Sequence, residues 1–295
     1  MSSLMPHTAV PPVVHDLGEQ GAVQVRVDVS ATQKRVWAAI TQRTVAAKWF
    51  GDFSRDLSPD LAGLRLEFGD GDFFALEDIK LQPPSHLHYG WRFLGTGPRD
   101  AIELEIVAQG NESCQVIITD RDPLRSEDMV EQLKMGWTDF LGRLQRFLAT
   151  GKISRYDWRR DFDGWIELSV SRERAWDLLF GQENLARWLP LNPLPGGPGI
   201  RSLSVHSSGE SWINRAEWRD GFELALDVRS PDWRQSTSCC LEVLPRAGAS
   251  ALMVRHTGWD KISSDPAYCK QQRHEFADRW IAALRDAQQF VEQPV

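Results

Sequence analysis

Few residues in this chain have a type and spacing suited to chemistry, and the first question is which way they point. In "ALMVRHT", residues 251–257, strand alternation puts Leu252 and Val254 on one face with His256, and Arg255 and Thr257 on the other. If the aliphatic pair faces inward, so does His256, close to the end of its strand. An imidazole there can hold a polar ligand group or move a proton. Asp120 takes the matching place earlier in the chain, in parity with Val116 and Ile118. The competing reading is that each side chain bonds a nearby backbone group where the loop leaves the sheet. The sequence shows no second catalytic group placed beside either one, although activated sites usually have one. In "SWINRAEW", residues 211–218, Trp212, Asn214, Ala216 and Trp218 share a face. Turned inward, that face makes Asn214 an isolated amide among aromatics, the kind of group that orients a bound molecule.

Thirteen tryptophans against three tyrosines supply apolar area with one N–H donor each. Most belong in cores. Trp91, Trp137, Trp212 and Trp280 are the candidates for pocket walls, with Asp120, Asn214 and His256 as polar contacts; Trp49 and Trp188 suit helix packing. His86 and His88 have the H-x-H spacing of a metal pair, but they lie opposite Leu87, Tyr89, Trp91 and Phe93, so exposed histidines are expected. With no Cys-rich or H-E-x-x-H element, neither a metal nor a cofactor is expected. "GDGD" reads as a hairpin turn rather than a phosphate loop, and no G-x-S-x-G elbow occurs.

The elements that would position these residues occur twice. "RVWAAITQRTVAAKWF" from Arg35 aligns without a gap on "RAWDLLFGQENLARWL" from Arg174. Before the first phrase, Val23, Val25, Val27 and Val29 alternate with polar residues as a strand does, and Ser30 or Thr32 can cap the helix that follows. Ile166, Leu168 and Val170 alternate before the second phrase. Each phrase leads into a meander of strands and then a long helix. Leu133, Trp137, Phe140, Leu141, Leu144 and Leu148 fall on one helical face, as do Phe276, Trp280, Ala283, Leu284, Ala287 and Val291 at the same offsets. A whole domain is therefore repeated.

The expected organisation is a flexible tail over 1–20, a first domain over 21–151, a linker over 152–160 and a second domain over 161–295. Each domain is α+β, a curved antiparallel sheet around its long C-terminal helix with two short helices after the first strand. "RYDWRR", Arg155–Arg160, reads as a solvated linker and "LPGGPG", Leu194–Gly199, as a connecting loop or lid. A net charge of −7 argues against a nucleic-acid partner, which would need a basic stripe. No run approaches the roughly 20 apolar residues of a membrane span, and the N-terminus lacks a secretory pattern. Four cysteines without a C-x-x-C pair fit a cytoplasmic location.

Three features carry a resemblance to a known family: the strand followed by "RVWAAIT…AAKWFG" or "RAWDLLF…LARWLP", "VRHTGWD" at Val254–Asp260, and "MGWTDFLGRLQRFL" at Met135–Leu148. Together they resemble the START-like superfamily, also called Bet v 1-like, SRPBCC or helix-grip, and within it the branch of the Hsp90 ATPase activator C-terminal domain. The resemblance covers two tandem copies and implies the helix-grip fold with a hydrophobic cavity beneath each long helix. It leaves three functions open. One is non-catalytic binding or sequestration of a hydrophobic or aromatic small molecule. Another is a polyketide cyclase- or hydrolase-like enzyme using His256 or Asp120. The third is a regulator whose partner is a chaperone ATPase of the Hsp90 type. The copies differ where His256-Thr257-Gly258-Trp259 stands against Asp120-Arg121-Asp122-Pro123, and Arg279-Trp280 against Gly136-Trp137, so they need not share a ligand.

Overall fold

The computed structural model describes residues 10–59, 63–123, 125–181, 184–189, 192–193, 203–205, 211–219, 222–246 and 248–293. In the first repeat, strands β1 (Val13–His15) and β2 (Ala22–Val29) lead to helices α1 (Gln33–Thr41) and α2 (Arg43–Ala46). Strands β3 (Asp52–Phe53), β4 (Leu64–Glu67), β5 (Phe73–Gln82), β6 (His86–Phe93), β7 (Asp100–Ala108) and β8 (Cys114–Arg121) follow, and then helix α3 (Glu127–Thr150). The second repeat runs β9 (Phe162–Leu168), α4 (Arg172–Phe180), α5 (Leu185–Trp188), β10 (Asn192–Pro193) and β11 (Leu203–Val205). It continues through β12 (Ser211–Arg219), β13 (Glu223–Arg229), β14 (Thr237–Arg246), β15 (Ala249–Thr257) and α6 (Pro266–Glu292).

Both sheets have the same strand order. One runs β2-β8-β7-β6-β5-β4-β3 with β1 added outside β2, and the other runs β9-β15-β14-β13-β12-β11-β10. In each, the last strand pairs with the strand that precedes the two short helices, β8 with β2 and β15 with β9, so the strand that leads to the long helix lies next to it. This is the α+β helix-grip architecture, written twice. By contacts the chain divides into one unit of Met1–Phe68, Phe74–Arg92 and Arg99–Asp157, and another of Gly69–Phe73, Phe93–Pro98 and Trp158–Val295.

The duplicated phrase does the same work in both units. Thr32 accepts from the Arg35 N–H at 3.2 Å and Ser171 from the Arg174 N–H at 3.3 Å, satisfying donors at the helix start. The Trp49 indole donates to the Ala39 carbonyl at 2.9 Å and the Trp188 indole to the Leu179 carbonyl at 2.8 Å. Each tryptophan, Trp188 at the end of α5 and Trp49 just after α2, thus ties that part of the chain back to the first short helix while its ring is buried. On α3, Trp137, Leu141, Leu144 and Leu148 are buried on one face. The helix ends at Gly151, whose φ of 71° is the left-handed conformation that glycine adopts without strain. On α6 the buried face carries Phe276, Trp280, Ala283, Leu284, Ala287 and Val291.

The structure departs from the sequence reading in three places. Within the expected tail, Val13–His15 pair antiparallel with Arg26–Gln24, because β-branched residues can cover the free edge of β2. The expected linker is not solvated throughout. Trp158 is buried, the Tyr156 ring packs edge-on against Phe68 and Phe140, and Arg159 pairs with Asp72 and Asp163. Strand β9 begins at Phe162 and stops at Leu168, short of Val170. The "LPGGPG" segment lies outside the described residues.

Candidate functional site

In the first unit the sheet brings Tyr89, Ile102, Asp120 and Val23 into one row across β6, β7, β8 and β2. All four are buried beneath α3. Asp120 has no exposed surface, and both its oxygens are engaged. The Trp137 indole donates to Oδ2 at 2.8 Å and Arg125 Nη2 donates to Oδ1 at 2.7 Å. Arg125 is equally buried and also donates to Asp100 Oδ1 at 2.8 Å and to the Gly21 carbonyl at 2.7 Å. Burial raises the Asp120 pKa, against the opposing pull of Arg125 and the Trp137 hydrogen bond. Asp100 retains some exposure; burial and then the Asp120 carboxylate push it up to about 7, with Arg125 opposing. The Tyr89 hydroxyl is pushed upward by burial and by Asp120.

Beside this cluster stands a pile of rings. Phe74 stacks on Trp91 at 3.9 Å between centroids, Trp91 on Trp137 at 5.0 Å, and Phe140 adjoins Trp137 at 5.7 Å. Trp91 and Trp137 are deeply buried, whereas Phe74 and Phe140 are only partly so. Among the described residues the buried Trp91 indole N–H has no acceptor.

The second unit places His256 in the matching position, between Phe162 of β9 and Cys239 of β14. The Trp280 indole donates to His256 Nδ1 at 2.9 Å, so the ring's own proton belongs on Nε2, which lies 2.7 Å from Thr237 Oγ1. The Thr237 hydroxyl then donates to the Val228 carbonyl at 3.3 Å. Burial, and secondarily the charge on Arg273, lower the His256 pKa to about 3. Trp259, Phe276 and Trp280 surround the imidazole, and Trp233 packs on Trp259. His256 is therefore a neutral ring with both nitrogens occupied and no exposed surface. It is not poised as a general base.

Four of the seven residues picked out from sequence thus join as indole–acceptor pairs, Trp137 with Asp120 and Trp280 with His256, and Trp91 stacks on the first. Asp120 and His256 are each tied by hydrogen bonds to side chains, a helix tryptophan with Arg125 in one case and with Thr237 in the other, rather than to the backbone. Trp212 and Asn214 lie in β12, where the register runs Trp212↔Arg229 and Ile213↔Val228 and then shifts before Arg215↔Asp227. That irregularity interrupts the alternation on which their common face depended, and their side chains lie outside the described residues. His86 pairs with Glu103 at 3.1 Å. No group of three or more His, Cys, Asp or Glu placed to hold a metal occurs among the described residues.

Asp100, Arg125 and Thr237 complete the site and were not picked out. Parity would have found two of them. Asp100 alternates with the buried Ile102, Leu104 and Ile106, and Thr237 with Cys239, Leu241 and Val243. Arg125 lies between a strand and a helix, where no period marks direction. In the second unit Trp176 stacks on Phe180 at 4.2 Å, with Trp218 and Phe222 edge-on to Trp176. Trp218 pairs with the buried Leu224, so it belongs to the concave face, yet it remains 37% exposed.

The model of the family "Activator of Hsp90 ATPase homolog 1-like protein" matches residues 30–149. The crystal structure of DynU16, a putative protein in the dynemicin biosynthetic locus, is similar over 92% of this chain and 100% of its own, with 32% identity and a TM-score of 0.77. The chain belongs to the AHSA1-like family. Two further structures resemble the AHSA1-like chain more distantly. CalU16 from Micromonospora echinospora has 22% identity over 44% of this chain and 77% of its own, with a TM-score of 0.36. The di-domain ARO/CYC BexL from the BE-7585A biosynthetic pathway has 10% identity over 93% and 99%, also with a TM-score of 0.36. No curated protein matches the AHSA1-like chain. No helix among the described residues is long and apolar enough to cross a membrane.

Proposed function

We propose that this chain binds or sequesters a hydrophobic or aromatic small molecule inside a helix-grip domain without transforming it. The observation that carries the proposal is the run of rings Phe74, Trp91, Trp137 and Phe140, whose outer members remain partly accessible while the inner pair is buried. Aromatic faces of this kind favour offset stacking with a planar guest. Similarity to DynU16, a putative protein in the dynemicin biosynthetic locus, supports a small-molecule ligand. Tryptophan fluorescence titrated with a panel of apolar and aromatic compounds tests it. A saturable change with one of them is expected, and its absence across the panel ends the proposal.

One observation favours an enzymatic second reading of the cyclase or hydrolase type, and it points to Asp100. A carboxyl with a pKa of about 7 beside a hydrophobic wall suits proton transfer near neutrality. His256 and Asp120, being saturated, suit it less. Under this reading Asp100→Asn binds the ligand and abolishes its turnover; binding without any turnover in the unaltered protein leaves sequestration. A chaperone ATPase partner rests on the family match alone, and an ATPase assay with added chain tests it. The proposal includes a cytoplasmic location, where the free Cys114, Cys239, Cys240 and Cys269 would stay reduced.

A further inference from the structure

We infer that the second unit holds a site for an acidic ligand group, a carboxylate, sulfonate or phenolate on an apolar frame, read by Arg279. The inference rests on the small-molecule reading above and narrows it. Arg279 directly precedes Trp280 on α6 and lies on the helix flank of Phe276 and Ala283, both buried. Eleven residues further along that flank, Phe290 lies under the guanidinium of Arg187 on α5 at 5.7 Å, so the flank faces the short helices. The opposite flank is occupied by the opening strand, where Gln288 donates to the Glu167 carbonyl.

The guanidinium of Arg279 rests 4.8 Å from the centre of the Phe276 ring. Its Nη1 is buried and has no hydrogen-bond partner among the described residues. Among the described residues no carboxylate forms an ion pair with it, although Arg273, two turns earlier on the same helix, is closed by Asp72 at 2.6 Å. Arg279 is half-buried as a residue, but a donor on a cation that is itself shut off from water and lacks an acceptor is costly, and an anion supplied from outside would relieve that cost. Burial accordingly lowers the Arg279 pKa, with Glu275 opposing.

The first unit has Gly136 at this place, directly before Trp137, and a Cβ built there would meet nothing within 4 Å. The position therefore admits a side chain without clash in one repeat, and in the other it carries a cation with no ion-pair partner among the described residues.

Two fluorescent probes with the same frame test this: anilinonaphthalene sulfonate and its neutral parent, phenylnaphthylamine. The sulfonate should bind the full chain at least about tenfold more tightly than the parent. Arg279→Met should remove that preference while leaving the parent's affinity unchanged, and Arg279→Lys should keep part of it. If the methionine variant does not fold, Arg279→Gln against Arg279→Lys makes the same comparison. Equal affinities for the two probes, or an unchanged sulfonate affinity in the neutral variant, overturns the Arg279 site and leaves cavity binding standing. Failure of both probes to saturate the unaltered protein overturns the two together.

Discussion

Each long helix directs a tryptophan N–H at the last strand of its own sheet, and the two units differ in what receives it. In the first the acceptor is the Asp120 carboxylate; in the second it is the neutral His256 imidazole. A buried carboxylate needs several donors, and Arg125 supplies a charged one while drawing in Asp100. A neutral ring needs one donor and one acceptor, and Trp280 with Thr237 completes it. The same donor in the same place has therefore led to one charged network and one neutral network. A shared fold fixes where the indole points, and the electrostatics around it diverge freely once the acceptor changes.

The largest test of that contrast removes the charged support from the first network. Arg125→Met leaves Asp120 and Asp100 with no counter-charge and should cost about 3–5 kcal/mol. Thr237→Val in the second network leaves a neutral N–H unpaired and should cost about 1–3 kcal/mol. Urea unfolding, combined with amide exchange read separately in the two units, measures both. Equal costs would mean that the first network is not held by charge.

The pH dependence should run in opposite directions. The Asp100 pKa is 3.8 in its ordinary state and about 7 when folded, so between these values the folded form keeps a proton that the unfolded chain has lost. Its contribution to stability therefore falls as pH rises through that window. His256 moves from 6.5 to about 3, and between these values the unfolded chain takes up a proton that the folded form refuses. Its contribution falls as pH drops through that window. Asp100, which keeps some exposure, should contribute about 1–3 kcal/mol, and the fully buried His256 at least as much. Asp100→Asn should flatten the first slope and His256→Gln the second, in unfolding measured across pH. Parallel slopes in the two units would break the contrast.

The architecture was legible in the sequence because period and order repeat over a long span. The alternation of Val23 to Val29 and the matching helix faces around Trp137 and Trp280 are statements about backbone geometry, and the backbone obeys them. The parity of Asp120 with Val116 and Ile118, and of His256 with Leu252 and Val254, placed both inside correctly. What parity could not say is how deep each one lies or which donor reaches it. Arg125 reaches Asp120 from a turn, and the Thr237–His256 contact crosses between neighbouring strands. Such contacts are fixed by tertiary distance rather than by spacing along the chain. The register shift near Asn214 is likewise invisible to strict alternation, since one extra residue reverses every face beyond it.

The smallest expected effect concerns the place where the units agree. Trp49 and Trp188 each fill a buried position and each donate to a carbonyl of the preceding helix, at 2.9 and 2.8 Å. Phenylalanine at either position keeps most of the apolar ring and removes the donor, so the Ala39 or Leu179 carbonyl loses one neutral hydrogen bond. Trp49→Phe and Trp188→Phe should each cost about 1 kcal/mol, and by similar amounts, since no charge enters either contact. The decisive quantity is the difference between them, measured by the shift in urea midpoint at constant slope. A near-zero difference confines the divergence to the acceptors beneath the long helices. A clear difference places divergence in the helix pair as well, and matched geometry would then no longer imply matched energetics in this fold.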